Sequence, residues 1–94
     1  MTRKIGLCAS RHEMPVQDFV FDEIPADRVT DPEWLEETAA GYLRRLGAQE
    51  IELYVTGLTV ALIAVLNAAR ELGVRVSLYH FDRDTGKYFR QEVK

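Results

Sequence analysis

Between Pro32 and Phe81 the chain reads helix, strand, helix, strand, and each helical pattern stops at a glycine, Gly47 and Gly73. This alternation limits the fold more than any other feature. A helix joining two strands of one sheet makes them parallel, and such crossovers are right-handed. The first helix opens on Thr30-Asp31-Pro32-Glu33, which offers a capping side chain, a proline in the first turn and an acid at the positive helix end. Leu35, Ala39, Tyr42, Leu43 and Leu46 then recur at the spacing of one buried stripe. Arg44 and Arg45 fill its last turn as a solvated end.

Three segments read as buried strands: Ile5 to Ala9, Glu50 to Val55 and Val74 to Phe81. Phe19-Val20-Phe21 reads as a brief edge strand in an otherwise irregular stretch from Glu13 to Val29. After the last strong strand, Asp82-Arg83-Asp84-Thr85-Gly86 is turn chemistry, and Lys87 to Val93 returns antiparallel along an edge. The expected architecture is α/β: a small Rossmann-like sandwich of three parallel strands, an antiparallel C-terminal edge hairpin and two main helices. At 94 residues it is one domain, residues 1–94.

The second helix, from Thr59 or Val60 to Leu72, carries strongly polar residues only at Asn67, Arg70 and Glu71, on one narrow face. Val60, Ile63 and Ala64 fall on or beside that face. A helix so apolar around its girth needs cover on two sides. A homodimer through the second helix is the expected arrangement; the alternative is close packing of its alanines on the first helix within one chain.

Fifteen acidic residues against twelve basic ones leave a formal charge of −3. This argues against coating duplex nucleic acid, whose affinity comes largely from neutralising phosphates. It leaves room for a small phosphorylated ligand in a locally positive pocket. The lone cysteine, Cys8, sits among Ile5, Leu7 and Ala9 and reads as a packing residue. Met14 stands six positions later, where a cysteine phosphatase would carry arginine. With one cysteine and two histidines, no structural zinc site and no metal requirement are expected. The apolar run after Arg3 and Lys4 is short for a secretory signal, and Val60 to Leu66 is far below the ~20 residues of a membrane span. A cytoplasmic protein without a membrane partner is expected.

Ligands of open parallel sheets bind beyond the carboxyl ends of the strands. Three polar clusters follow the three expected strands: Ser10-Arg11-His12, Thr56-Gly57-Leu58-Thr59, and His80 with Asp82-Arg83. Parallel strands put all three on one rim. Arginine suits phosphate oxygens and histidine suits proton transfer near neutrality. The turn at Thr56 to Thr59 enters a helix whose first amides can hold an anion; Thr59 is expected to cap that helix. Each cluster also has a purely structural reading. Arg11 can pair with Glu13 or Asp18, His80 can be a satisfied packing residue between Tyr79 and Phe81, and Asp82 and Asp84 can simply shape a turn. Tyr88 and Phe89 read as sheet packing. No glycine-rich dinucleotide fingerprint and no phosphate-binding loop is present, so no nucleotide cofactor is expected.

The pairing of Ser10-Arg11-His12 with the strand–turn–helix element Val55-Thr56-Gly57-Leu58-Thr59-Val60-Ala61-Leu62 resembles small CRISPR-associated ring nucleases with Rossmann-like folds. The likeness covers about half the chain, the first strand and residues 51–81. It implies a homodimer that binds a cyclic oligoadenylate across its two-fold axis. It further implies metal-independent cleavage, in which a ribose 2′-hydroxyl attacks the adjacent phosphate and leaves a 2′,3′-cyclic phosphate. Ser10, Arg11 and His12 would then be catalytic, and Thr56, Gly57, Leu58, Thr59, His80 and Arg83 would bind the ligand. Two other classes of function fit the same residues: a sensor or sponge that binds such rings without cutting them, and a dimeric adaptor with no ligand.

Overall fold

Two crossovers that step the same way across a sheet put their helices on the same side of it, and one that steps the other way passes over the opposite side. Both occur here. The computed structural model describes residues 1–9 and 14–94. Its elements are β1 (Thr2–Cys8), β2 (Phe19–Phe21), α1 (Pro32–Leu46), β3 (Glu50–Tyr54), α2 (Thr59–Leu72), β4 (Arg75–Asp82) and β5 (Lys87–Glu92). The sheet order is β2-β1-β3-β4-β5. Strands β1 to β4 are parallel, and β5 runs antiparallel to β4. The α/β class, the two helices and the antiparallel C-terminal hairpin are as the sequence indicates. The parallel set is larger by one: Phe19–Phe21 pairs with β1, Gly6 opposite Phe19 and Cys8 opposite Phe21.

The β2–α1–β3 and β3–α2–β4 crossovers both step toward β4, so α1 and α2 lie side by side on one face. Ile5, Leu7, Ile51, Leu53, Val76 and Leu78 point into that layer and meet Leu35, Leu43 and Val65 from the helices. The alanines of α2, Ala61, Ala64, Ala68 and Ala69, are buried, as are Ala39 and Ala40 of α1. Small side chains let the two helices approach closely, and Asn67 Nδ2 donates to Glu36 Oε2 across them at 3.3 Å. Most of the apolar girth of α2 is thus taken up within the chain. Ala64 is buried, while Val60 and Ile63 remain exposed.

The helix ends follow local chemistry. Asp31 caps α1, its carboxylate accepting from the Trp34 amide at 3.1 Å and from Arg28 at 2.9 Å. This amide bond, together with Arg28, holds the Asp31 carboxyl below its usual range. Gly47 closes α1 at φ +67°, a left-handed backbone that favours glycine. The start of α2 departs from expectation. Its cap position is Leu58, with no side-chain cap, and Thr59 is already the first helical residue. The Leu58 side chain packs on the core, so hydrophobic anchoring fixes this entry in place of a hydroxyl cap.

The β1–β2 connection steps the other way. Gly6 shares its face with Tyr54 and Tyr79 by register. A Cβ on Gly6 would collide with the Phe19 ring and press on Val16, so this connection crosses the face without helices. Among the described residues the rest of that face carries no helix. Tyr54 stacks on Tyr79 with centroids 4.9 Å apart, and Tyr88 meets both Tyr54 and Phe81 edge-on. Tyr79 donates its hydroxyl to Glu52 at 3.0 Å, and Arg90 donates to Ser77 Oγ at 2.9 Å.

Candidate functional site

The strand register levels Gly6, Tyr54 and Tyr79. The residues that follow them, Ala9 after β1, Thr56-Gly57 after β3 and the tip of β4, therefore emerge on one rim. Between β1 and β3 the connections diverge: the chain leaves β1 over the open face and leaves β3 toward the helix face. Ligand crevices form at the carboxyl ends of parallel strands where successive connections leave on opposite faces. Four parallel strands, with β2 to the left of β1, make this a genuine switch point, which three strands with the order β1-β3-β4 would lack.

At this point α2 presents the amides of its first turn. The first intrahelical bond runs from the Leu62 amide to Leu58 O, which leaves the amides of Thr59, Val60 and Ala61 ahead of it. With no capping side chain among the described residues, they carry the positive end of the helix dipole to the rim. The Leu58 amide bonds Thr56 O at 2.9 Å and tightens the turn. Gly57 is exposed, and a Cβ there would meet nothing within 4 Å, so the site can admit a group close to the main chain. The Leu58 side chain is half-buried against the core, and its carbonyl accepts the first bond of the helix.

The other predicted residues are placed less favourably. Ser10, Arg11 and His12 lie outside the described residues; Ala9, which precedes them, is at the rim beside the switch point. His80 belongs to the helix side of β4, one strand further along. Its Nε2 is 2.8 Å from Gln91 Oε1 and its ring stacks on Phe89, so the packing reading of His80 has the better support. Arg83 is exposed in the β4–β5 loop. That loop is organised by Asp82, which accepts from the Asp84 amide and the Thr85 hydroxyl. Cys8 is half-buried, and burial together with the Asp22 charge pushes its thiol pKa up. A thiol held neutral in this way is a packing group, not a nucleophile.

Among the described residues no group of three or more His, Cys, Asp or Glu side chains is arranged to hold a metal ion. Two surface concavities lie away from the rim. One runs along the helix layer between Glu36, Arg44 and Glu71, and the other lies beside α2 under Val93. No helix among the described residues is long and apolar enough to cross a membrane. Comparison with known proteins yields no match to any protein-family model, any curated protein or any solved structure.

Sequence reasoning found the rim but not the aromatic group of Tyr54, Tyr79, Phe81 and Tyr88. The signal was the alternation within β4, where Ser77, Tyr79 and Phe81 face away from Val76 and Leu78.

Proposed function

We propose that the rim between β1 and β3 binds a small phosphodiester ligand, with cyclic oligoadenylate as the ligand class. The observation that carries this reading is the first turn of α2, without a side-chain cap among the described residues, opening where the connections of the parallel strands leave on opposite faces. In the catalytic form of the proposal, Arg11 holds the phosphate and His12 takes the proton from a ribose 2′-hydroxyl. The 2′-oxygen bonds to the adjacent phosphorus as the bond to the 5′-oxygen breaks. That oxygen leaves with a proton, and the fragment ends in a 2′,3′-cyclic phosphate. Alignment of the attacking oxygen and stabilisation of charge on the phosphate supply most of the acceleration in such chemistry.

Incubating the protein with labelled cyclic tetra-adenylate in EDTA tests this directly. Linear fragments bearing 2′,3′-cyclic phosphate are expected, with His12→Ala slowing their release roughly 100-fold or more. Intact ring after long incubation at high protein concentration removes the catalytic claim for that ring.

Binding without cleavage is the second reading, and one observation favours it. The described part of the rim offers amide donors, whereas its histidine, His80, is engaged by Gln91 and Phe89. This reading expects saturable binding with the ligand recovered unchanged. A second copy against Val60 and Ile63 is compatible with either form and required by neither.

A further inference from the structure

The β5 strand is a sheet edge, and its six residues are exposed apart from Tyr88. The Val93 amide bonds Val76 O at 3.1 Å, so those two residues form a hydrogen-bonded pair. Antiparallel ladders alternate bonded and unbonded pairs. The main-chain groups of Tyr88, Arg90 and Glu92 therefore point away from β4, toward solvent. Such an edge is a template for another strand.

We propose that β5 pairs with β5 of a second copy of this chain, antiparallel about a two-fold axis at Gln91. A two-fold perpendicular to the sheet keeps the helix faces of both copies on one side, so opposed residues must share a face. With the axis at Gln91, Arg90 lies opposite the partner's Glu92, and Glu92 opposite the partner's Arg90. Both are outward-pointing positions, so their main chains exchange hydrogen bonds as well. On the helix face, Phe89 lies opposite the partner's Val93. These are two of the exposed large apolar residues, 54% and 37% exposed. Val93 already lines a groove with Leu66 and Val76 beside α2, and the partner's Phe89 extends its wall.

The same side chains penalise the neighbouring registers. Moving the axis to Arg90 opposes two arginines, and moving it to Glu92 opposes two glutamates, which are unfavourable directly across a ladder. Charge on an edge strand ordinarily discourages pairing; here it discourages every partner except one that presents the same segment in this register. Strands run in opposite directions across the axis, so the two rims point opposite ways and each copy keeps its own. The pairing thus stands independently of the ligand proposal.

Sedimentation of the full chain across a concentration series tests it, with circular dichroism confirming that each variant is folded. The wild type is expected to dimerise. Arg90→Glu should weaken the dimer roughly tenfold or more by opposing like charges, and Arg90→Glu with Glu92→Arg should restore it. Glu92→Pro removes only an outward amide, which an edge strand tolerates, and should yield a folded monomer. In a Cys8→Ala background, Gln91→Cys should form a disulfide-linked dimer under mild oxidation. A wild type that stays monomeric at several hundred micromolar overturns the proposal. So does a dimer indifferent to Arg90→Glu and Glu92→Pro, or cross-linking through Phe89→Cys in place of Gln91→Cys.

Discussion

The two faces of this sheet are built from the same strands by different means. On the helix face, Ile5, Leu7, Ile51 and Leu53 are fully buried beneath α1 and α2, and their contribution is bulk apolar burial. On the other face no helix sits among the described residues, and stability comes from lateral contacts between neighbouring strands. The Tyr54–Tyr79 stack, the edge-on Tyr88 ring, the Tyr79–Glu52 hydrogen bond and the Arg75–Glu50 ion pair at 3.2 Å are of this kind. Tyr54 is only 5% exposed, with the Tyr79 and Tyr88 rings packed against it. Neighbouring aromatic rings thus help bury a central strand residue on the face away from α1 and α2. Cross-strand pairs are worth a fraction of what a buried aliphatic is worth, so the two faces should respond very differently to truncation.

The largest difference is expected from Leu53→Ala, which removes a fully buried side chain between both helices. It should cost about 3 kcal/mol, within the usual range for such cavities, read as a lowered urea midpoint. A loss comparable to that of an exposed residue would mean that the helix face is loosely packed. Gly6→Val comes next, because it drives a branched side chain into Phe19 and Val16 on the open face. A cost of about 1–3 kcal/mol is expected from this overpacking. A neutral result would show that the β1–β2 connection does not lie over Gly6.

Tyr88→Ala should cost about 1 kcal/mol, and a double-mutant cycle with Tyr54→Leu should recover a coupling of about 0.5–1.5 kcal/mol. Additive single effects would dissolve the aromatic cluster as an energetic unit.

The smallest effect is a pH dependence. The hydrogen bond to Glu52 exists only while the Tyr79 phenol keeps its proton, and it raises the Tyr79 pKa in the folded protein above the ordinary tyrosine value. An acid whose folded pKa is raised contributes stability that is complete below the unfolded pKa, about 10. That stability is lost as pH rises through the folded pKa. The urea midpoint of the wild type should therefore fall between about pH 10 and the higher folded value, and Tyr79→Phe should flatten that part of the fall. An unchanged slope would place the alkaline loss elsewhere.

Local signals carried most of the secondary structure. Asp31-Pro32 and Gly47 bound α1 because capping and left-handed closure are decided within a few residues. Gly73 bounds α2 for the same reason. The entry to α2 was less legible. Thr59 looks like a cap by composition, yet the half-buried Leu58 packs on the core and takes the cap position, with no side-chain cap among the described residues. Packing outweighed a local preference there. β2 was the least legible element, since three residues carry too little periodicity to distinguish a strand from a bend. Its pairing nonetheless decides where the connections diverge, and with it the position of the candidate site. His80 reads as a rim residue by its place in the chain; its alternation within β4 turns it to the helix side, where Gln91 and Phe89 occupy it.

The amino-acid order alone determined that strands and helices alternate, where the helices stop and which residues are apolar enough to be buried, because those properties arise from contacts a few residues apart. The tertiary structure decided that β2 lies outside β1, that both helices share one face and that the other carries a cluster of aromatic rings. Those outcomes depend on which direction each crossover steps, a choice made by the whole sheet as its strands compete for partners. No window of sequence a few residues long contains that competition.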